Sequence, residues 1–201
     1  IQIFPKVSKE EYLLQIQKIQ SYLWDGDIYE MNYCMEFYAE QVALDYIETF
    51  HQLNLKSPMP FAVLAKTPYG IVICASPERF IKKMGNLLIA QPIKGTMRRS
   101  ADDEEDHLLM TQLRESPKEQ AENMMIVDLV RSDLAKVSTI GSVKVEELFE
   151  VYSFQQVHQM ISTVVSKVKP EATIEDIVKA TFPMGSMTGA PKISAMKLID
   201  E

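Results

Sequence analysis

Apolar positions along the chain switch between two periods, and the switches predict its elements. After Ser8, the residues Leu13, Ile16, Ile19 and Leu23 recur at helical spacing, Ser8 and Glu11 make a capping box, and Gly26 supplies a stop. Tyr29, Met31, Tyr33, Met35, Phe37 and Ala39 then alternate with Glu30, Asn32, Glu36 and Glu40, the period of a long half-buried strand. A helix is predicted around Val42 to Leu53. Strands follow near Phe61 to Ala65, Ile71 to Cys74, Arg79 to Lys83 and Leu87 to Ile93, with a hairpin fitting Lys83 to Asn86 because Gly85 and Asn86 carry turn chemistry. Residues 102–114 and 117–131 read as helices, the second with Ser116 as N-cap and Pro117 in its first turn. Val143 to Val145, Leu148 to Tyr152 and Val157 to Val168 read as strands, Thr173 opens another helix, and Pro191 falls in the first turn of the last. Helix, several strands, then helix is not strict strand–helix alternation, so the order predicts an α+β fold with antiparallel sheets. No linker, repeat or low-complexity stretch interrupts it, and the chain reads as a single domain.

Composition narrows the function classes. With 46% hydrophobic and 24% charged residues in 201, the chain has the material for a substantial core. No apolar run approaches the roughly 20 residues that span a bilayer, so no membrane role is expected. The net charge of −7 is partly gathered in Asp102 to Asp106, which reads as a solvated helix start and argues against nucleic-acid binding. Cys34 and Cys74 make no CxxC or zinc spacing, which makes a reducing cytoplasm the default compartment. No secretory signal opens the chain. It begins at Ile1 without Met and stops at Glu201 inside a helical pattern, as an internal piece of a longer protein would.

One lysine stands apart from the solvated rest. Lys94 lies in Pro92-Ile93-Lys94-Gly95-Thr96, at the end of an apolar run, where an amine is poorly hydrated. Burial favours the neutral form of a lysine, which is the nucleophilic one. A snorkelling head group is the plain alternative. Sixteen residues earlier Glu78 follows the apolar run Ile71 to Cys74, and the hairpin brings Glu78 and Lys94 to the same end of adjacent strands. Such a pair suits general-acid and nucleophile chemistry, and a structural ion pair has the same signature.

Four segments in order resemble the chorismate-utilising enzymes: Ser76-Pro77-Glu78-Arg79-Phe80, Pro92 to Thr96, Ala121-Glu122-Asn123-Met124-Met125-Ile126-Val127-Asp128-Leu129, and Phe182-Pro183-Met184-Gly185-Ser186-Met187-Thr188-Gly189-Ala190-Pro191-Lys192. That family includes the anthranilate, aminodeoxychorismate, isochorismate and salicylate synthases. The resemblance implies a four-layer α/β/β/α sandwich of orthogonally packed, mainly antiparallel sheets, of which this chain supplies part. It also implies a catalytic Lys94 and Glu78, Mg²⁺ held by Glu122 with further glutamates beyond residue 201, and substrate contacts from Gly95, Thr96, His158, Gly185 and Ser186. Backbone N–H groups around Gly185 to Gly189, ahead of the last helix, suit carboxylate oxygens.

Within the family, anthranilate-forming members are known for Ala at the Lys94 position and usually Thr at that of Ser186. Lys94 and Ser186 therefore point to the aminodeoxychorismate branch, with a covalent Lys94 intermediate and ammonia from a glutamine amidotransferase partner, since no Cys–His nucleophile arrangement is evident here. Glu30 departs from the Gln common in amine-forming relatives and from the Lys of isochorismate-forming ones. It reads equally as a base or as part of a hydrated face with Asn32 and Glu36. An anthranilate-forming enzyme that carries lysine, and a non-catalytic fragment that keeps the fold, are the competing readings.

Overall fold

A computed structural model describes residues 1–201. Its first half contains β1 (Phe4–Pro5), α1 (Lys9–Asp25), β2 (Glu30–Met31), β3 (Phe37–Tyr38), α2 (Tyr46–Lys56), β4 (Phe61–Thr67), β5 (Gly70–Ser76), β6 (Arg79–Met84), β7 (Leu87–Gln91) and β8 (Ile93–Arg98). Then come α3 (Asp103–Glu115), α4 (Pro117–Val137), β9 (Lys144–Ser153), β10 (Val157–Lys167), α5 (Ile174–Thr181), α6 (Gly185–Thr188), β11 (Gly189–Ala190) and α7 (Lys192–Asp200). Every strand pairing is antiparallel, as the order of elements predicts. α1, α4 and α5 start at their predicted caps, whereas α2 begins only at Tyr46 behind the Asp45 cap, and Pro191 is the N-cap of α7 rather than part of its first turn. Ser8 and Glu11 exchange side chain-to-backbone hydrogen bonds of 3.2 and 3.0 Å, and Thr173 and Asp176 repeat the motif.

The chain divides into two compact units, Ile1–Leu44 with Pro183–Glu201, and Asp45–Phe182. In the first, the expected strand over residues 29–39 does not form. A strand exists only where a neighbour satisfies its backbone, and here each neighbour is two residues long: β2 pairs with β11 and β3 with β1. Gly189 is required at the first contact, because a Cβ there would come within 2.2 Å of the Glu30 carbonyl oxygen.

The second unit is built on a five-stranded sheet. The apolar run Leu87 to Ile93 breaks at Pro92, which cannot donate to a ladder, and continues as β8, so β7 and β8 lie end to end along one edge of β10. β9 takes the other edge and β6 flanks β7. Val143 to Tyr152 holds one bulged strand in place of the two predicted, its irregularity centred on Leu148 and Phe149, where φ reaches 59°. Leu88, Ala90, Val127, Leu134, Val137, Val164, Val168 and Ile177 form the core between the sheet, α4 and α5. β10 is buried on both faces from His158 to Ser166, which is why its sequence shows no clean alternation. β4 and β5 form a separate hairpin.

Candidate active site

The irregular pairing of β8 with β10 creates the centre of the site. Ile93 pairs with Ile161 and Thr96 with Gln159, so Lys94 and Gly95 together oppose Met160 alone. This bulge needs Gly95 at φ 91°, and a Cβ there would stand 3.1 Å from Glu119 Oε2 and 3.2 Å from Leu113 Cδ1. Glycine thus lets the start of α4 close onto the strand. Glu78 sits between β5 and β6, where the Ser76 hydroxyl bonds its backbone N–H and carbonyl at 3.3 and 3.4 Å. Its Oε1 accepts the Ile93 N–H at 3.2 Å. Glu78 and Lys94 are both half-buried, and they lie at the same end of the β6–β7 hairpin, as the turn chemistry predicts.

Glu122 lies in the first turns of α4, and the fold adds a neighbour that the sequence reading missed. Glu119 and Glu122 project one helical turn apart, and both reach Lys118 Nζ at 3.2 Å. The Glu119 bond, then that of Glu122, raises the Lys118 ammonium above its ordinary value. The paired carboxylates therefore hold a cation of this chain's own. The readable signal was the i, i+3 spacing just after the Ser116 cap. No three His, Cys, Asp or Glu side chains converge as metal ligands.

His158 is 1% exposed, and both of its ring nitrogens have protein partners: Nε2 lies 3.0 Å from Asp106 Oδ1 and Nδ1 2.8 Å from Ser153 Oγ. Asp106 is the hub. Arg99 grips it through Nε at 2.9 Å and Nη2 at 2.7 Å, and the Ser100 N–H adds a bond of 2.8 Å. The Arg99 fork first, then the Ser100 N–H, hold the Asp106 carboxyl far below the usual carboxylate range. His158 thus ties β10 to α3 and β9, with neither ring nitrogen left over for a ligand in this arrangement.

Gly185 and Ser186 belong to the other unit. They form not the expected loop but the single helical turn of α6, with the Ser186 carbonyl accepting from Asn32 Nδ2 at 2.8 Å. Both residues are buried.

Comparison with known proteins identifies the family. Residues 1–201 match the chorismate binding enzyme family throughout. The chain belongs to the chorismate-binding enzymes. It is 44% identical over 195 residues to aminodeoxychorismate synthase component 1 of Klebsiella aerogenes, covering 97% of this chain and 43% of that protein. The corresponding Escherichia coli protein is 40% identical over the same shares. The crystal structure of anthranilate synthase component I from Streptococcus pneumoniae superposes with a TM-score of 0.85 at 30% identity, over 98% of this chain and 43% of that one. The chain thus has the expected α+β family fold and spans less than half the length of these relatives. Of its family motifs, Ser76 to Phe80 meets Pro92 to Thr96 through the Glu78–Ile93 bond, and Ala121 to Leu129 reaches the strand opposite the bulge through Asn123, whose amide donates to the Met160 carbonyl.

Proposed function

We propose that this chain carries the catalytic lysine and general acid of a cytoplasmic aminodeoxychorismate synthase component 1, which makes 4-amino-4-deoxychorismate from chorismate and ammonia on the way to p-aminobenzoate and folate. The observation that carries the reading is Lys94 at a strand bulge one residue beyond the backbone N–H that Glu78 binds. Glu78 as general acid gives its proton to the 4-hydroxyl while the neutral Lys94 amine bonds to ring carbon 2. Both conjugated ring double bonds shift by one position and the C4–O bond breaks, releasing water. Ammonia then bonds to carbon 4, the bond to Lys94 breaks, and the surplus proton returns to the Glu78 carboxylate. Two displacements give a regiochemistry that one direct substitution does not, which is the use of a covalent nucleophile.

The carboxylates of Glu122 and Glu119 fit Mg²⁺, a hard ion that takes one or two carboxylates and fills its remaining positions with water and substrate oxygens. Bound there, it would offset the charge of a dicarboxylate substrate. Thr96 and Gly95, beside Lys94, and Gly185 with Ser186 are assigned to substrate contacts. His158, its ring nitrogens taken by Asp106 and Ser153, supports β10 beside them rather than touching the substrate. Ammonia comes from a separate glutamine amidotransferase, in keeping with the "component 1" in the relatives' names.

The test uses the full-length protein with chorismate, ammonium and Mg²⁺. Without ammonia, mass spectrometry should find a ring adduct on the Lys94 peptide. Lys94→Ala should lose most aminodeoxychorismate formation and divert residual turnover to attack at carbon 2. No adduct, together with an unchanged product and rate in Lys94→Ala, would leave Lys94 as a cation near the substrate. Anthranilate and pyruvate from the unaltered protein would move it to the other branch.

A further inference from the structure

The face of the five-stranded sheet that turns away from α4 carries a continuous line of polar side chains. Arg79 Nε donates to Gln91 Oε1 at 2.8 Å, and Gln91 Nε2 donates to Thr163 Oγ1 at 3.0 Å. The same Thr163 hydroxyl donates to Glu147 Oε2 at 2.7 Å, and the Tyr152 hydroxyl donates to that oxygen at 2.9 Å. The line crosses β6, β7, β10 and β9 in turn. From the guanidinium to the carboxylate every bond points the same way, so each polarises the next. The bond to Glu147, with burial behind it, raises the Tyr152 phenol above its ordinary value and keeps it a donor.

The first member of this line adjoins the proposed general acid. Arg79↔Gln91 is the outermost pair of the β6–β7 ladder, and the register slips between Arg79 and Lys82. Beyond it stand Glu78 on one strand and Pro92, which has no N–H, on the other. Backbone pairing therefore weakens where Glu78 must be aimed, and side chains take over: Arg79 to Gln91 on one side, Glu78 Oε1 to the Ile93 N–H at 3.2 Å on the other. The Arg79 guanidinium also sits 4.9 Å from the centroid of the Phe61 ring. Thr163, 6% exposed, joins the two halves, since its single hydroxyl accepts from Gln91 and donates to Glu147.

We propose that Thr163 is a positioning residue for Glu78, acting through this line of hydrogen bonds across the sheet. The proposal rests on Glu78 being the general acid. It touches no substrate; it holds the Arg79–Gln91 end of the hairpin so that the Glu78 carboxylate stays against Ile93 and next to Lys94.

The experiment is a double-mutant cycle in the full-length protein, assayed for aminodeoxychorismate with chorismate, ammonium and Mg²⁺. Thr163→Val keeps the shape and removes the hydroxyl. It should lower kcat about tenfold with the chorismate KM little changed, the cost of a slightly misplaced reacting group. Thr163→Ser should return kcat to within about twofold of the starting protein. On a Glu78→Gln background, Thr163→Val should cause no further loss, because the group it positions is gone. Glu147→Gln, which keeps an acceptor but removes the charge, should show the same dependence on Glu78 with a smaller fall, and it serves if Thr163→Val does not fold. Losses that multiply in the double variant, or a rise in KM with kcat kept, would overturn the positioning role while leaving Glu78 as the acid. A near-normal rate in Glu78→Gln alone would remove both.

Discussion

Two long helices of this chain are capped by serine, yet they do different things. α4 buries Asn123, Ile126, Val127, Asp133, Leu134 and Val137, whereas α1 buries nothing: Leu14 is 64% exposed and Trp24 90%. Both starts were predictable from the same local chemistry, Ser116 for α4 and Ser8 for α1. The difference lies in what covers the apolar stripe. Because α4 is pinned along one face, its half-buried carboxylate Glu119 is held against the Gly95 bulge with little freedom, and Glu122 lies one turn further along the same helix. α1 instead borders an open groove of about 570 Å³ whose walls include Ile19, Tyr22, Met31, Met187 and Met196. A cap sets where a helix begins; burial sets whether it can position chemistry.

The sharpest way to break this contrast is at the centre of α4. Leu134 is fully buried in the core with Leu88, Val127 and Val164, and Leu134→Ala should cost about 3 kcal/mol, the lost transfer energy plus a residual cavity. Denaturant unfolding should show a lower midpoint with an unchanged slope. A cost below about 1 kcal/mol would mean that the α4–sheet interface is not the dominant core.

A smaller, pH-dependent effect tests how α3 is held to the same sheet. Asp106 is depressed chiefly by the Arg99 fork, so its carboxylate is more acidic folded than unfolded. A group of that kind contributes stability above its unfolded pKa of about 4, and the contribution is lost as pH falls below that value. Asp106→Asn should therefore be less stable than the unaltered chain at pH 7, and the gap should narrow between about pH 5 and pH 2. Parallel stability curves for the two proteins over that range would mean that the Arg99–Asp106–His158 network adds nothing to folding.

What the sequence disclosed and what it withheld divide along the same physical line. Caps, the Gly85–Asn86 turn and the antiparallel order are local or nearly local, and they appear where expected. The alternation over residues 29–39 was genuine but found no long neighbour, and a strand is a property of two segments. Pro92 should have been read as an interruption, since it divides one apolar run into β7 and β8 and sets up the bulge that holds Lys94. At the candidate site, Glu78, Lys94 and Glu122 stand out in the sequence through their motifs. Glu119 offered only its i, i+3 spacing from Glu122 and Asp106 offered nothing, because each matters through a helix-to-strand contact, to Gly95 and to His158, that spacing alone cannot display.

The smallest expected effect completes the contrast, using the same substitution on the other helix. Leu14→Ala removes the same atoms as Leu134→Ala, but from a side chain that is 64% exposed on α1. Alanine is also the better helix former, so the change should stay within about 0.5 kcal/mol of neutral. What holds α1 is its ends. The Ser8 hydroxyl takes the Glu11 N–H, the Glu11 carboxylate takes the Ser8 N–H and is thereby held below its ordinary pKa, and Gly26 closes the far end in a left-handed conformation. Ser8→Ala should accordingly cost α1 more than Leu14→Ala does, about 1 kcal/mol of local stability. Amide hydrogen exchange should show that loss in the first turns of α1 and leave β10 unchanged. If Leu14→Ala proves as damaging as Leu134→Ala, the α1 face is covered in the protein as it exists in solution, and the contrast between the helices belongs to this stretch of chain rather than to the whole molecule.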